Sequence, residues 1–558
     1  RDWSSDVCSS DLLSFAYPDA RTRALDEISF SIDKGEYLVI CGESGCGKTT
    51  LLRQIKPELT PAGAREGTVY FHDKNVHGMS PEETAVKIGF VQQDPDNQIV
   101  TDFVWHELAF GLENMALPTS AIRRRVSEMA SFFGMEDWFH KKTYELSGGQ
   151  KQMLNLASIM AMNPELLVLD EPTSMLDPLA SQNLLQMVSR INRELGVAVI
   201  ICEHRLEEVF QTADRVLLME KGQIQFLDTP QWVAEKLSRN LTDSSKNISR
   251  IYPGLPGAVR IFSGLRQEGL YPTEEKTPIS IREARNALPK LLENTHIHIL
   301  PDKKIPTKES QKHKTVLEAK ELWFRYQEKS PDVLRGLSLS VGEGELTALL
   351  GGNGSGKSTL LKLLSGVSKP LRGKVKMEKG RRLAMLPQSP KALFTTDTLW
   401  EDLMDSADGN EEKAKTMAAR MNLSDKIYAH PYDLSGGELQ RAAIGKLLLR
   451  DADLLLLDEP TKGLDAGLKG DLAGYLKELC REGISILLVT HDLEFAAAYA
   501  DRCALLFDGQ IVSEEEPHAF FSGNRFYTTS AGLIAGDCIP EAITCEEVIA
   551  ACRKAASS

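Results

Sequence analysis

A phosphate-binding loop pattern occurs twice in this chain, and the same motifs follow it in the same order both times. Gly42–Thr49 and Gly351–Ser358 both match GxxxxGK[ST]. Each is followed by a Leu-Ser-Gly-Gly string, an Asp-Glu-Pro-Thr string and a histidine, which begin at Leu146, Asp170 and His204 in the first copy and at Leu434, Asp458 and His491 in the second. Two complete copies predict an internal repeat with two nucleotide sites in one molecule.

The spacing of these motifs constrains the architecture. We call the Leu-Ser-Gly-Gly string the signature. From its serine to the aspartate, Ser147 to Asp170 and Ser435 to Asp458, the separation is identical in the two copies. From the loop lysine to the signature serine, the first copy is longer than the second. A constant spacing suits a helix, a short turn and a strand, whereas the variable stretch indicates an inserted lobe at the surface.

Short apolar runs beside the motifs predict an α/β fold. Tyr37–Ile40 and Leu346–Leu350 come directly before the Gly-rich loops, and helix-forming residues follow each loop. Leu166–Leu169 and Leu454–Leu457 are apolar throughout. Runs of this kind are typical of strands that are buried on both faces of a parallel sheet.

Composition excludes several classes of protein. A chain of 558 residues is long enough for several domains, and its net charge of −14 argues against a surface built to hold nucleic acid. No apolar stretch approaches the about 18 residues that span a bilayer. The nine cysteines lack metal-type spacing, which favours reduced thiols. Any work at a membrane would therefore depend on docking onto a partner.

Five segments are expected along the chain. The first dozen residues show no strand alternation and resemble translated sequencing-adapter sequence, while the stretch between the repeats combines several prolines, a helical pattern at 281–293 and a lysine-rich end. A second helical pattern lies near 545–554. The expected segments are a non-native 1–12, a first repeat domain 13–230, an accessory module and linker 231–314, a second repeat domain 315–513 and a C-terminal tail 514–558.

The loops carry the chemistry of phosphate binding. Between a strand and a helix, such a loop turns its backbone N–H groups toward phosphates, and the helix adds the positive end of its dipole. Lysine is expected to reach the β- and γ-phosphates, and the next hydroxyl to bind Mg²⁺. The expected nucleotide-binding residues are Gly42, Gly45, Gly47, Lys48, Thr49 and Thr50 in the first loop and Gly351, Gly354, Gly356, Lys357, Ser358 and Thr359 in the second.

The acidic pairs at the strand ends divide two tasks. Asp170 and Asp458, with Thr49 and Ser358, are expected to hold the Mg²⁺ shell. Glu171 and Glu459 are placed to orient and polarise the attacking water. Because both pairs lie in a complete motif context, we prefer this interpretation to solvent-exposed acidic residues.

The signature strings can cap helices and can also bind an anion. A serine followed three residues later by Gln or Glu predicts a capping box. Ser147, Gly148 and Gly149, like Ser435, Gly436 and Gly437, also present N–H groups at a helix start. If the two repeats pack head to tail, each signature faces the phosphates held by the other repeat.

Together these motifs resemble two ATP-binding-cassette ATPase units fused in tandem, over about 11–230 and 315–513. The resemblance implies a RecA-like parallel sheet core, a helical signature subdomain and an antiparallel β subdomain in each unit, with ATP and Mg²⁺ as cofactors. It implies adenine stacking on Tyr17 and Tyr326. It implies Q-loop glutamines that sense Mg²⁺ and couple to a membrane partner, and switch histidines that contact the γ-phosphate; these are Gln93, Gln388, His204 and His491. Both sites are expected to hydrolyse ATP.

Within that family, the string 89–100 and the downstream 107–114 are similar to the ATPases of energy-coupling-factor transporters, which import vitamins and transition metals. The strings 203–209 and 520–529 also resemble fused two-cassette members. The second Q-loop lacks the Asp-Asn-Gln extension of the first, so unequal docking faces are expected.

This resemblance implies a transmembrane coupling subunit and a small substrate-capture membrane subunit as partners. It also implies a location at the cytoplasmic face of a bacterial or archaeal membrane. The imported substrate is not specified by the sequence.

Two alternatives remain open. A fused sugar-importer ATPase also carries two cassettes, although the intact Lys357 argues against the eroded second loop expected there. A ribosome-associated cassette ATPase would need a long charged helical linker, which the proline-broken 231–314 does not match. One departure between the copies concerns the residue before the switch histidine, which is Glu203 in the first and Thr490 in the second.

Overall fold

The computed structural model describes residues 6–18, 20, 22–204, 206–240, 252–294, 314–524 and 527–556. The chain divides into two compact units, Arg1–Val259 and Arg260–Ser558. Each unit contains one copy of the repeated motifs. The α/β fold class predicted from the sequence is confirmed, since each unit has a parallel sheet core with helices packed against it.

The first unit contains an antiparallel sheet and a larger, mainly parallel sheet. Its strands are β1 (Asp6–Ala16), β2 (Leu25–Asp33), β3 (Tyr37–Gly42), β4 (Ala64–Phe71), β5 (Lys74–Asn75), β6 (Ile88–Val91), β7 (Leu166–Asp170), β8 (Ala198–Cys202), β9 (Arg215–Glu220) and β10 (Gln223–Asp228). The antiparallel order is β2-β1-β4-β5 and the other order is β10-β9-β3-β8-β7-β6, in which β10 runs antiparallel to β9.

Helices flank these sheets. They are α1 (Lys48–Ile55), α2 (Pro81–Lys87), α3 (Val104–Asn114), α4 (Thr119–Phe132), α5 (Gly148–Ala161), α6 (Pro178–Leu195), α7 (Leu206–Val209) and α8 (Pro230–Asn240). The next helix, α9 (Gly257–Gln267), contains the boundary between the two units.

The second unit repeats this plan. Its strands are β11 (Thr315–Phe324), β12 (Leu334–Gly342), β13 (Leu346–Leu350), β14 (Arg372–Met377), β15 (Leu383–Leu386), β16 (Leu454–Asp458), β17 (Ser485–Val489), β18 (Arg502–Phe507) and β19 (Gln510–Glu515). The sheet orders are β12-β11-β14 and β15-β16-β17-β13-β18-β19. The second order matches β6-β7-β8-β3-β9-β10 strand for strand, which confirms the internal repeat.

Helices also flank the sheets of the second unit. They are α10 (Ile281–Asn294), α11 (Lys357–Leu364), α12 (Leu399–Ser406), α13 (Glu411–Arg420), α14 (Gly436–Leu448), α15 (Ala466–Arg481), α16 (Leu493–Tyr499), α17 (Pro517–Gly523), α18 (Ser530–Ala535) and α19 (Cys545–Ala556). Within the described ranges, no helix has the length and apolar content that crossing a bilayer requires.

The apolar runs form the strands that the sequence predicts. All residues of β7 and β16 are buried, because each strand has parallel neighbours at its sides and packed side chains on both faces. Since β3, β7 and β8 are parallel, their carboxyl ends meet at one edge of the sheet, as do those of β13, β16 and β17. The phosphate loop and the acidic pair therefore meet at the same edge in each unit.

Part of the length difference between the copies lies after strand β4 of the antiparallel sheet. In the first unit, β5 and α2 stand between β4 and β6, whereas in the second β14 is followed directly by β15. This extra segment adds strand β5 at the edge of the antiparallel sheet, followed by helix α2.

Residues 6–12 show no strand alternation in the sequence, yet they belong to a strand. Strand β1 begins at Asp6, and Cys8 pairs with Ile32 on one side and Phe71 on the other. Strand pairing uses backbone groups, which any sequence supplies, so a stretch without alternation can still join a sheet. The non-native origin of the segment stays a prediction.

A small set of helices, residues 260–294 and 517–556, packs together in the second unit; we call it the helical module. The predicted helices at 281–293 and 545–554 are confirmed as α10 and α19. Helix α10 packs against α18, and Arg553 Nη1 lies 3.1 Å from Glu268 Oε1. Segments that the sequence separates as accessory module and tail therefore form one body. Of the lysine-rich linker 303–314, all but Lys314 falls outside the described residues.

Candidate active site

The phosphate-loop lysines are buried and held by their own loops. Lys48 Nζ donates to the carbonyl oxygens of Gly42 at 2.8 Å and of Glu43 at 2.9 Å. Lys357 Nζ makes the same contacts with Gly351, at 3.0 Å, and with Gly352, at 2.9 Å. Each ammonium group therefore lies over the loop that phosphates would enter.

The first glycine of each loop has no space for a side chain. A Cβ at Gly42 would lie 2.3 Å from the Met219 carbonyl oxygen, and a Cβ at Gly351 would lie 2.4 Å from that of Leu506. Both glycines also have positive φ angles, 153° and 152°. Tight contact between the loop and the neighbouring strand thus requires glycine at this position. By contrast, a Cβ at Gly45 or Gly354 would meet no heavy atom within 4 Å, so these glycines face open space.

The residues expected to hold Mg²⁺ come together in both units. Thr49 Oγ1 donates to Asp170 Oδ1 at 3.0 Å, and Ser358 makes a side-chain hydrogen bond with Asp458. Burial raises the pKa of Asp170 to about 6, although Thr49 opposes the shift, and burial also raises the pKa of Asp458. In both cases burial disfavours the charged carboxylate, which a bound cation would offset.

One oxygen in this group tests the fit directly. Oδ1 of Asp458 is buried, and no hydrogen-bond partner for it exists within the described part of the chain. A buried carboxylate oxygen without a donor is a suitable ligand for a hard divalent cation. Asp458 and Ser358 therefore fit Mg²⁺, as do Asp170 and Thr49, and the bound cation would neutralise phosphate charge.

Each glutamate of the acidic pairs lies between a histidine and a glutamine. Glu171 Oε1 lies 2.6 Å from His204 Nε2, and its Oε2 accepts from Gln93 Nε2 at 2.8 Å. In the second unit the corresponding distances are 2.9 Å to His491 and 3.3 Å to Gln388. The side chains that the sequence assigned to catalysis therefore form one cluster in each unit.

Backbone strain occurs at both glutamates. Glu171 has φ 45° and Glu459 has φ 52°, in the left-handed region that non-glycine residues seldom adopt. Their N–H groups donate to the carbonyl oxygens of Cys202 and Val489, on the adjacent strands. Strain that the surrounding sheet maintains is typical of functional positions.

Lys462 contacts the second glutamate, a role that the sequence did not indicate. Its Nζ lies 3.7 Å from Glu459 Oε2. Burial would raise the pKa of Glu459, but His491, Lys462 and Lys357 together lower it to about 2. The first unit has Ser174 at the equivalent place. The available signal was this lysine-for-serine difference three residues after the glutamate.

The residue before each switch histidine binds the loop after the acidic pair. Glu203 Oε1 accepts from the Thr173 N–H at 3.1 Å, whereas Thr490 and Thr461 bring their hydroxyls to 3.3 Å. The difference between Glu203 and Thr490 therefore replaces a carboxylate contact with this loop by a hydroxyl contact.

The two expected adenine-stacking tyrosines stand beside the loops. Tyr17 OH lies 2.9 Å from Thr50 Oγ1, and Tyr326 OH lies 2.9 Å from Thr359 Oγ1. Both rings are exposed, by 39% and 58%. Each ring is thus anchored at its hydroxyl and leaves a face open beside the phosphate loop.

The signature serines cap helices, as the capping-box pattern predicts. The Ser147 hydroxyl oxygen accepts from the Gln150 N–H, and the Gln150 side-chain oxygen accepts from the Ser147 N–H. Ser435 and Glu438 do the same at α14. The glycines after each serine form the first turn of the helix, so their N–H groups lie at its positive end.

Within each unit, the site thus combines a phosphate cradle, a cation-binding pair and a carboxylate that two side chains orient. This arrangement can bind a nucleoside triphosphate and direct a water molecule at its terminal phosphate.

Comparison with known proteins agrees with a nucleotide-binding site in each unit. The sequence profile of the ABC transporter family matches residues 25–174 and 334–462. The chain is 40% identical to a putative ABC transporter ATP-binding protein of Bacillus thuringiensis subsp. konkukian over 97% of each chain. It is 31% identical to the putative HMP/thiamine import ATP-binding protein YkoD of Bacillus subtilis over 91% of each.

A solved structure supports the fold. The archaeal ribosome recycling factor aABCE1, solved in complex with the archaeal ribosomal stalk protein aP1, superposes with a TM-score of 0.58 at 20% identity, over 92% of this chain and 91% of that chain. At this identity the likeness concerns the fold alone. The profile matches and the full-length relatives show that this chain belongs to the ABC transporter family and is an ATP-hydrolysing protein with two cassettes.

Proposed function

We propose that this chain powers the import of a vitamin or a transition metal through an energy-coupling-factor transporter. It would act at the cytoplasmic face of a bacterial or archaeal membrane, with a transmembrane coupling subunit and a small substrate-capture membrane subunit. The observation that carries the proposal is the similarity to the Bacillus subtilis protein named for HMP/thiamine import. That similarity covers 91% of each chain and therefore includes both cassettes.

In this proposal the glutamates act as bases and the neighbouring side chains orient them. Glu171 and Glu459 would polarise the attacking water, and His204 and His491 would position each carboxylate and contact the terminal phosphate. The residues at the phosphate loops, Lys48 and Lys357 foremost, would hold the triphosphate. Asp170 and Asp458, with Thr49 and Ser358, would hold Mg²⁺.

We further propose that each signature completes the site begun by the other cassette. The capped helix starts at Ser147 and Ser435 expose N–H groups and a dipole suited to an anion. Nucleotide would then favour the closed arrangement of the cassettes because it binds that form more tightly.

The first Q-loop supports a docking role because side-chain hydrogen bonds hold its backbone in place. The Gln98 side chain accepts from the Gln92 N–H at 3.0 Å and donates to the Phe90 carbonyl at 2.8 Å. Asn155 donates to the Pro95 carbonyl at 3.1 Å. Beside this braced loop, Val100 is 67% exposed. In this proposal a helix of the membrane partner lies on this loop.

The second Q-loop offers a different face. There a one-turn helix, Pro390–Leu393, follows Gln388, and the buried Lys446 donates to the Leu393 carbonyl at 2.6 Å. The unequal loops suit a coupling subunit that presents two different helices to the two cassettes.

Affinity purification from the native host tests the proposal. A tagged chain is recovered from detergent-solubilised membranes and, separately, from sedimented ribosomes. We expect co-purification of two membrane proteins, one of them small, and ATP-dependent uptake of thiamine, hydroxymethylpyrimidine, Co²⁺ or Ni²⁺ when the set is placed in liposomes. The Glu171→Gln/Glu459→Gln double variant is the matched control without turnover.

Recovery with ribosomes and not with membranes would overturn the proposal in favour of the ribosome-associated alternative. The fold likeness to the archaeal recycling factor gives that alternative no further support, because it does not extend beyond the shared fold. Uptake of a sugar by the reconstituted set would instead identify a sugar importer.

A further inference from the structure

Helix α16 joins the second switch histidine to the helical module. His491 is followed at once by Asp492, which caps α16 by accepting from the Phe495 N–H at 3.0 Å. Lys469 Nζ of helix α15 lies 2.5 Å from Asp492 Oδ2. The position of His491 against Glu459 therefore depends on where α16 lies.

The module shares an apolar core with this helix. Ala496 and Ala497 of α16 pack in one cluster with Phe520, Phe521 and Ile543 of the module. All five side chains are buried. The same cluster includes Leu350, the last residue of the strand that leads into the phosphate loop. Movement of the module would thus displace the strand that leads into the second phosphate loop, because close-packed cores transmit displacement.

A polar contact fixes the same joint. Glu494 Oε1 accepts from the Ser530 N–H at 2.6 Å and from the Ser530 hydroxyl at 2.8 Å. The Arg260 guanidinium acts electrostatically on Glu494 and donates to Glu546 Oε1 at 2.6 Å. Burial raises the pKa of Glu494, while Ser530 and Arg260 oppose that shift. One carboxylate on the switch helix is therefore bound to module helix α18 and lies in the field of an arginine on α9.

The first unit has a glutamate at the same distance after its histidine. Glu207 follows His204 by three residues, as Glu494 follows His491. Glu207 Oε2 accepts from the Gly257 N–H at 2.7 Å, at the start of α9. The same position of the repeat therefore binds the backbone of an added helix in both units, with different partners.

We propose that Glu494 is a positioning residue for hydrolysis in the second cassette. By binding Ser530, it fixes helix α16 to the helical module and so holds His491 in contact with Glu459. The module then sets the turnover of this site through α16, without touching nucleotide.

Variants of the full chain test this proposal in a steady-state ATPase assay. Glu494→Ala removes the acceptor. Ser530→Pro removes both donors at the first helical position, where proline is tolerated, after a Thr529 that is already extended (φ −78°, ψ 163°). We expect each to lower kcat about tenfold, with KM for ATP changed less than about twofold. The double variant should be no slower than either single one, and Glu494→Gln, which keeps a carbonyl acceptor, should restore most of the rate.

Two comparisons separate positioning from loss of structure. In a His491→Ala background, Glu494→Ala should cause no further loss, because its effect passes through the histidine. Glu268→Ala removes a module carboxylate that pairs with Arg553 at 3.1 Å, outside the apolar cluster that includes α16, and should leave kcat within about twofold of the parent. A wild-type kcat for Glu494→Ala, an additive loss with His491→Ala, or an equal loss in Glu268→Ala would each overturn the proposal.

Discussion

Nε2 of His491 lies 2.9 Å from Oε1 of Glu459, on a backbone position with φ 52°. The equivalent pair in the first cassette, His204 and Glu171, lies at 2.6 Å. A carboxylate held by a strained backbone and a neighbouring imidazole has little freedom to rotate away. The carboxylate proposed as the base is thus preoriented, which would reduce the reorganisation needed at the moment of reaction.

Replacing either glutamate that we propose as the base should stop turnover while retaining binding. Glu171→Gln and Glu459→Gln keep side-chain volume but remove the basic oxygen, so each should lower kcat by about 100-fold or more. The double variant should retain bound ATP after gel filtration. Glu194→Gln, a loss of charge in an exposed pair with Arg190, serves as the control and should match wild type. Near-normal turnover in one of the two single variants would show that its site does not contribute to hydrolysis.

A single methyl group should disable a phosphate loop. In Gly42→Ala the new Cβ would overlap the Met219 carbonyl oxygen at 2.3 Å, so the loop or strand β9 must shift. We expect at least about a tenfold loss of affinity for a fluorescent ATP analogue at the first site. Gly78→Ala has nothing within 4 Å of its Cβ and should bind normally. Unchanged affinity in Gly42→Ala would mean that the loop geometry does not control binding.

A buried ion pair should stabilise the helical part of the second cassette. Lys446 and Asp402 are in direct contact and both buried. Lys446→Met should therefore lower the free energy of unfolding by about 3–5 kcal/mol, because Asp402 keeps a buried charge without its partner. Adding Asp402→Leu should recover much of that loss. Urea denaturation monitors both.

The exposed pair of Arg450 and Asp405 provides the control for this measurement. Arg450→Met should change the free energy of unfolding by less than about 0.5 kcal/mol. Equal losses in Lys446→Met and Arg450→Met would show that burial is not the cause.

The helical module should depend weakly on pH through His518. Its Nε2 lies 3.2 Å from Glu547 Oε1, and this contact raises the pKa of His518 above 6.5 despite partial burial. The stabilisation is complete below that ordinary pKa and is lost as the pH rises through the raised value. The pKa of Glu547 is lowered, so its share is lost only as the solution becomes strongly acidic.

Because His518 is half-exposed, the effect should be small, about 0.5 kcal/mol. An NMR titration of His518 measures its pKa directly. His518→Gln should remove the corresponding change in unfolding free energy between about pH 6 and 8. A His518 pKa at or below 6.5 would contradict this assignment.

Much of the fold and of the site could be predicted from the sequence. Lys48 and Thr49 belong to one local motif, and Ser147 and Gln150 lie within one helical turn, so short spacings determine their geometry. The apolar Leu166–Leu169 run predicts a buried strand because backbone pairing and burial act on the run itself. The repeat then doubles each inference, since two copies rarely arise by chance.

Other contacts could not be predicted from the sequence, because they depend on how the chain folds around them. Residues 6–12 show no alternation, yet they form a strand because β2 and β4 supply hydrogen-bonding edges on both sides. The contact of Lys462 with Glu459 depends on how the loop after β16 turns.

The sequence alone therefore determined the candidate site residues: two phosphate-loop motifs, two acidic pairs and two histidines, each specified by local spacing. Only the tertiary structure decided that 260–294 and 517–556 form one helical module, and that Glu494 binds Ser530. Local motifs depend on backbone geometry within a few residues. The module depends on side chains that bury one another across hundreds of residues, and pairing at that distance is set by packing.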